Sequence, residues 1–130
     1  MKDLSIIIVS YNTKDLTLQA IKSVLAYTKL DFEVIVADND SKDGSVEAIQ
    51  KTFPGVEIIP NKNNLGFARA VNQAVSIAEG EKILLLNPDA WLIEAGGLEA
   101  MSEYLDQHPE VGIIGPRLVN PDGSWQPQHV

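Results

Sequence analysis

The chain has 130 residues, 45% of them hydrophobic and 22% charged, the balance of one soluble globular domain large enough for a real core. Eighteen acids against ten bases give a net charge of -8, which argues against a nucleic-acid groove lined by clustered Lys and Arg. With no cysteine, disulfides and thiolate metal sites are excluded, and no apolar run has the length of a membrane span or the layout of a signal peptide.

The predicted elements alternate. Residues 4–9 (LSIIIV) form a β-branched run suited to a strand buried on both faces. Asn12-Thr13, with Asp15 close behind, signals a helix start, and Ala20, Ile21, Val24 and Leu25 carry the helix over 16–26. Residues 32–37 (FEVIVA) predict a second strand, ended by Asp38-Asn39-Asp40-Ser41, and a helix follows over 44–52. Pro54-Gly55 marks a turn before a third strand over 56–59. Phe67, Ala70, Val71, Ala74, Val75 and Ala78 fall on one helical stripe, and Gly80 stands where a C-cap glycine belongs. Residues 82–86 predict a fourth strand, Leu98, Met101 and Leu105 a helix ending before Pro109, and 111–114 a fifth strand. The fold class is therefore α/β: a Rossmann-like, mainly parallel sheet with helices on both faces, joined by right-handed crossovers. Such sheets bind ligands beyond the carboxyl ends of their strands.

That edge collects polar residues. Ser10, Tyr11 and Asn12 follow the first strand, and Asp38, Asn39 and Asp40 the second. Asn61, Asn63 and Asn64 follow the third, and Asn87 and Asp89 the fourth, which ends as LLLNPDA. Asn and Asp also serve turns and helix caps, and Asn12 and Ser41 are the strongest cases for that role. As a group they suit a hard divalent cation, Mg²⁺ or Mn²⁺, or the base and ribose of a nucleotide. Gly66, two residues after Asn64, admits close approach to the backbone. A P-loop is absent, as is a Gly-x-Gly-x-x-Gly turn. The two histidines, His108 after a helix and His129 in the tail, suit neither a triad nor a zinc site. Trp91 is expected in the core. Trp125 is open between stacking on a ligand and packing on further chain. Arg69, in the first turn of the third helix, is open between a phosphate contact and solvent.

Five stretches together resemble a known family: SIIIVSYN (5–12), VIVADNDSKDGS (34–45), NKNNLGFARAVNQA (61–74), LLLNPDA (84–90) and GPRLVNPDGSWQ (115–126). In order and coverage they resemble the N-terminal, nucleotide-sugar-binding half of an inverting family 2 glycosyltransferase of the GT-A fold, closest to its rhamnosyltransferase-like branch. The resemblance implies that Asn87-Pro88-Asp89 stands at the Asp-x-Asp-type motif, which holds Mg²⁺ or Mn²⁺ against the donor diphosphate. Asn87 replaces its first carboxylate, leaving Asp89 as the charged metal ligand. It implies that Ser10, Tyr11 and Asn12 line base and ribose. Asp38 would accept from a base imide N–H, with Asn39 and Asp40 beside it. Asn64, Gly66 and Phe67 would form a nucleotide-facing loop, with Arg69 near the phosphates. The donor would be a UDP- or dTDP-sugar and the acceptor a saccharide or a lipid-linked saccharide, in polysaccharide biosynthesis.

The resemblance further implies one domain over 1–130 that is the donor-binding half, with the acceptor-binding half absent. The general base is then expected beyond residue 130. The loop-like tail over 121–130 reads as a cut, so the chain alone is expected to bind donor weakly or not at all, and to transfer little or nothing. A cytoplasmic location is expected, with peripheral association of the full-length protein at the inner membrane face. An uncovered apolar edge favours a homo-oligomer. Two alternatives stand beside this reading: a non-catalytic nucleotide-binding remnant, and a nucleotidyltransferase that forms nucleotide sugars. The latter usually opens on a Gly-rich basic loop, which SYNTKD lacks.

Overall fold

The computed structural model describes residues 1–126, so the expectations for His129 and the tail end lie outside the described residues. In chain order the elements are β1 (Lys2–Ser10), α1 (Lys14–Tyr27), β2 (Phe32–Asp38), α2 (Ser45–Thr52), β3 (Glu57–Pro60), α3 (Phe67–Ile77), β4 (Gly80–Leu85) and α4 (Gly97–Gln107). The chain divides into two compact units, Met1–Ala95 and Gly96–Val130. No helix among the described residues is long and apolar enough to cross a membrane.

The first unit is a four-stranded sheet of order β3-β2-β1-β4, parallel throughout. Its central strands are the β-branched runs. Leu4 to Ile8 on β1 and Val34 to Ala37 on β2 are buried, because both faces of these strands are covered. On one face Ile7 and Ile35 meet Ala74 of α3, with Ile59 and Ala78 packed around them. Each buried isoleucine stabilises the fold by roughly 2 kcal/mol. Ile6 and Ile8 point to the opposite face by the period of the strand, where α1 packs on β1 and α2 packs on α1.

The third helix corrects two expectations. Its stripe is only partly buried: Ala70 and Ala74 are covered, whereas Phe67 and Val75 are exposed. The helix lies mainly over β1 and β2, where small alanines permit a close approach. Gly80 is not a C-cap, since α3 ends at Ile77 and Gly80 opens β4, aligned with Lys2. A Cβ there would meet Ser5 N at 2.3 Å and Leu4 C at 2.5 Å, so the glycine serves a close approach of strands.

Strand β4 is an edge strand, and its side chains are only partly covered. Ile83 and Leu85 are 41% and 50% exposed. They align with Ser5 and Ile7, and so share the α3 face of the sheet. Trp91 is 37% exposed rather than part of the core. Its neighbour Leu92 is half-buried and donates its N–H to Ser23 Oγ (3.0 Å), which anchors the segment through the next residue instead.

The second unit holds α4 and the segment after it. The expected strand over 111–114 is not formed. A strand needs a partner, and among the described residues nothing pairs with this segment; the one bridge in the unit joins Val119 to Trp125. His108 follows α4 as expected, stacked on Tyr104 with ring centroids 4.0 Å apart. Asp122 makes a turn, accepting from the Ser124 N–H (2.9 Å) and hydroxyl (2.6 Å), and these bonds hold its carboxyl below the usual 3.8.

Candidate functional site

Because β1, β2 and β3 step one way across the sheet while β4 lies on the other side of β1, the strand order reverses between β1 and β4. Loops leaving the carboxyl ends of these two strands diverge and leave a crevice, the usual ligand position in such sheets. One side is the 10–13 turn after β1. The other is the 86–90 turn after β4.

The β1 loop is rigidly stitched to the β2 loop. Ser10 is fully buried, and its hydroxyl accepts from Thr17 Oγ1 (3.3 Å). Tyr11 next to it is 51% exposed. Asn12 adopts a left-handed φ of +52°, its N–H donating to Ser41 Oγ (2.8 Å) and its Oδ1 accepting from Lys42 N–H (2.8 Å). Asp43 accepts from the first N–H of α1, at Lys14 (3.0 Å), and from the first N–H of α2, at Ser45 (3.1 Å). One carboxylate thus caps two helices.

At the end of β2, Asp38 is 1% exposed, and Ser41 occupies both its oxygens: the N–H on Oδ2 (2.9 Å) and the hydroxyl on Oδ1 (2.7 Å). Both Asp38 oxygens are thereby tied into the turn that follows β2. Asn39, 2% exposed, is equally committed: its Nδ2 donates to Gly66 O (3.1 Å), and its Oδ1 accepts from Asn61 Nδ2 (3.2 Å). Asp40 is half-buried at a φ of +68° and accepts from Lys42 Nζ (2.9 Å). That hydrogen bond and the charge of Asp40 raise the Lys42 ammonium above its usual 10.5.

The loop after β3 presents Asn64, Gly66, Phe67 and Arg69 to solvent. Asn64 Oδ1 accepts from Gly66 N–H (2.9 Å) in an Asx-type turn. Gly66 has φ +80° and ψ 179°, a region open essentially only to glycine, with nothing within 4 Å of where a Cβ would stand. Backbone and open space together suit a ligand lying against this loop.

After β4, Ala90 N–H donates to Asn87 O (3.1 Å), closing a turn with Pro88 and Asp89 at its centre. Proline's fixed φ suits the first central position. Asn87 and Asp89 are both exposed. Among the described residues no three His, Cys, Asp or Glu side chains converge as a metal cluster. A single carboxylate beside a neutral amide fits a magnesium-type ion that takes its remaining ligands from substrate phosphates and water.

Of the twelve sequence-predicted site residues, Ser10, Asp38 and Asn39 are buried, while the others lie at the surface of the carboxyl edge or half-buried within it. Sequence reasoning missed Asp43 and Gln73 as members of this edge. Asp43-Gly44-Ser45 ahead of a helix carried a recognisable capping signal. Gln73, in mid-helix, carried none.

The unit is a Rossmann-like α/β domain of the GT-A type with a polar carboxyl edge. Residues 5–130 match the family described as Glycosyl transferase family 2. A curated relative, the N-acetylglucosaminyl-diphospho-decaprenol L-rhamnosyltransferase of Mycobacterium tuberculosis, is 29% identical over 95% of this chain and 44% of its own length. Among solved structures, S. aureus TarS 1-349 in complex with UDP superposes with a TM-score of 0.73, 24% identity, 82% of this chain and 33% of its own. The mannosyltransferase PcManGT from Pyrobaculum calidifontis, in complex with GDP-Man and Mn²⁺, gives 0.73, 23%, 80% and 32% in the same terms. The chain belongs to glycosyl transferase family 2, and it spans less than half the length of that curated relative.

Proposed function

We propose that the chain is the donor-binding part of a glycosyltransferase that moves a sugar from a UDP- or dTDP-sugar to a saccharide or lipid-linked acceptor, with inversion. The observation that carries the reading is the crevice at the strand reversal, with a polar turn on each side: Tyr11-Asn12 after β1 and Asn87-Pro88-Asp89 after β4. The UDP held by one structural neighbour and the lipid-diphosphate in the curated relative's name support the donor and acceptor classes. The Mn²⁺ in another neighbour supports the ion.

In this proposal Tyr11 and Asn12 line base and ribose. Asp40 takes over the acceptor role toward the base, since Asp38 and Asn39 are committed within the fold. The loop carrying Asn64, Gly66 and Phe67 lies along the nucleotide, with Arg69 toward the phosphates. Asp89, helped by the Asn87 oxygen, would hold Mg²⁺ or Mn²⁺. When bound, the ion neutralises charge on the departing diphosphate. The acceptor oxygen forms its bond to the anomeric carbon as the bond to the diphosphate breaks on the opposite face, which inverts that carbon. The acceptor hydroxyl proton passes to a general base, which we assign to no residue of this chain.

Calorimetric titration of UDP and of dTDP, each with and without Mn²⁺, tests this. Binding is expected to strengthen with Mn²⁺, and Asp89→Ala is expected to remove that gain, a loss of about 10-fold in affinity. Failure of both nucleotides to bind the wild-type chain would overturn the donor-site reading. A gain that survives in Asp89→Ala would overturn the metal assignment.

A further inference from the structure

An amide network fixes the loop between β3 and α3 from beneath. Asn61 Nδ2 donates to Gln73 Oε1 (2.8 Å), and Gln73 Nε2 donates back to Asn61 Oδ1 (2.9 Å). This reciprocal pair satisfies both ends of the Gln73 amide. Asn61 Nδ2 also reaches Asn39 Oδ1 (3.2 Å), and the Asn61 backbone N–H donates to Asp38 O (2.9 Å). From Asn39 the network returns to the loop itself, with its Nδ2 on Gly66 O (3.1 Å) and its Oδ1 accepting from Leu65 N–H (3.4 Å). Three separate elements, the end of β2, the end of β3 and the middle of α3, thereby meet on residues 61–66.

This arrangement is more specific than the turn alone requires. The Asx bond from Gly66 to Asn64 would close the tip locally. Gln73 lies two turns into the helix, and a Leu there would extend the apolar stripe of Ala70 and Ala74 at no cost to helix propensity. Asn61, Gln73 and Leu65 are half-buried, and Asn39 is nearly fully buried. Hydrogen bonds at such depth are shielded from water and direct one loop conformation. The loop offers Lys62, Asn63, Asn64 and Gly66 to solvent, and Phe67 and Arg69 are exposed on the first turn of α3.

We propose that Asn61 and Gln73 are positioning residues: their paired amides hold the 61–66 loop in a ligand-ready shape before the donor arrives. The inference rests on the donor-site reading above. Neither side chain is required to touch the nucleotide. Holding the loop beforehand spares the ordering cost that a mobile loop would impose on binding.

Gln73→Leu and Gln73→Glu test it on the chain as it stands. Leucine removes both amide bonds; glutamate keeps an acceptor for Asn61 Nδ2 and loses only the donor. Amide hydrogen exchange is read at Asn61, Leu65 and Gly66, with β1 and β2 amides as internal controls. UDP affinity is read by calorimetry. Exchange in the loop is expected to accelerate about 10-fold in Gln73→Leu relative to the controls. UDP affinity is expected to fall about 5-fold, with an intermediate effect in Gln73→Glu. The ratio of affinities with and without Mn²⁺ is expected to stay constant, since Asn87 and Asp89 are untouched. Acceleration shared equally by β1 and β2 would mean general destabilisation and would overturn the positioning role. Loop exchange unchanged in both variants would overturn the clamp whether or not UDP binds. Absence of UDP binding in the wild-type chain would count against the donor-site reading instead, and the exchange arm would still decide the clamp.

Discussion

Gly80→Ala is expected to lower the unfolding free energy by about 3 kcal/mol and the melting temperature by about 10 °C. The added Cβ would stand 2.3 Å from Ser5 N and 2.5 Å from Leu4 C, and these are backbone atoms of the central strand rather than the ends of flexible side chains. The pressure also falls on a hydrogen-bonded corner. Gly80 N–H donates to Ser5 Oγ (2.7 Å), Ser5 donates to Glu33 Oε1 (2.6 Å), and Glu79 N–H donates to the same oxygen (2.6 Å). Moving Gly80 away from β1 therefore loosens the first contact of β4 with the sheet and unsettles a half-buried carboxylate. The φ of Gly80 is not in the left-handed region, so the cost is steric and not conformational. Gly55→Ala is the control, because nothing lies within 4 Å of its missing Cβ and its φ is ordinary. It is expected to be neutral or stabilising by about 0.5 kcal/mol. Denaturant and thermal unfolding of both variants give the comparison, and equal stability of the two would show that the strands can part at Gly80 without cost.

This glycine illustrates which parts of the molecule were legible in advance. Composition and periodicity placed the strands and helices of the first unit, because β-branched runs and a helical stripe are local signals. Gly80 looked like a helix stop because its true constraint is a contact with Ser5, far away in sequence. Residues 82–86 have the composition of a strand, and only the strand order shows that β4 lies at an edge with Ile83 and Leu85 exposed. The segment 111–114 has strand composition too, but pairing decides whether a strand exists.

The carboxyl edge was legible as a place and less so as a division of labour. Asn and Asp gathered after the strands correctly marked the edge. Their two roles, facing a ligand and tying loops together, use the same residue types and differ only in burial. Tyr11 and Asp89 face outward, while Ser10, Asp38 and Asn39 are sealed inside by Thr17, Ser41 and Asn61. In the proposed donor site a ligand-facing rim needs such a layer beneath it, because an unsupported polar loop would have to be ordered on binding.

The largest expected effect within that layer belongs to Asp43. Asp43→Ala removes the acceptor for the first N–H groups of both α1 and α2 and for the Ser45 hydroxyl. With each cap worth about 1 kcal/mol, the expected loss is about 2 kcal/mol, or about 7 °C in melting temperature. Asp43→Asn retains one oxygen as acceptor and should lose less, which separates the bond from the charge. The pH dependence carries its own signature. The Ser45 hydroxyl chiefly, and the backbone N–H groups of Lys14 and Ser45, hold the Asp43 carboxyl below its ordinary 3.8 against the opposing effect of burial. A folded-state pKa below the unfolded one makes the unfolded chain the better proton binder, so stability rises with pH through this window. The contribution is complete above 3.8 and is lost as pH falls through the lower folded value. Stability measured from pH 6 down to about 3 should therefore fall more steeply in the wild-type chain than in Asp43→Asn. Asp122, held low by Ser124, contributes a similar slope to both proteins and cancels in the difference. Parallel acid profiles would show that the two helix starts depend on the hydrogen bonds of Asp43 and not on its charge.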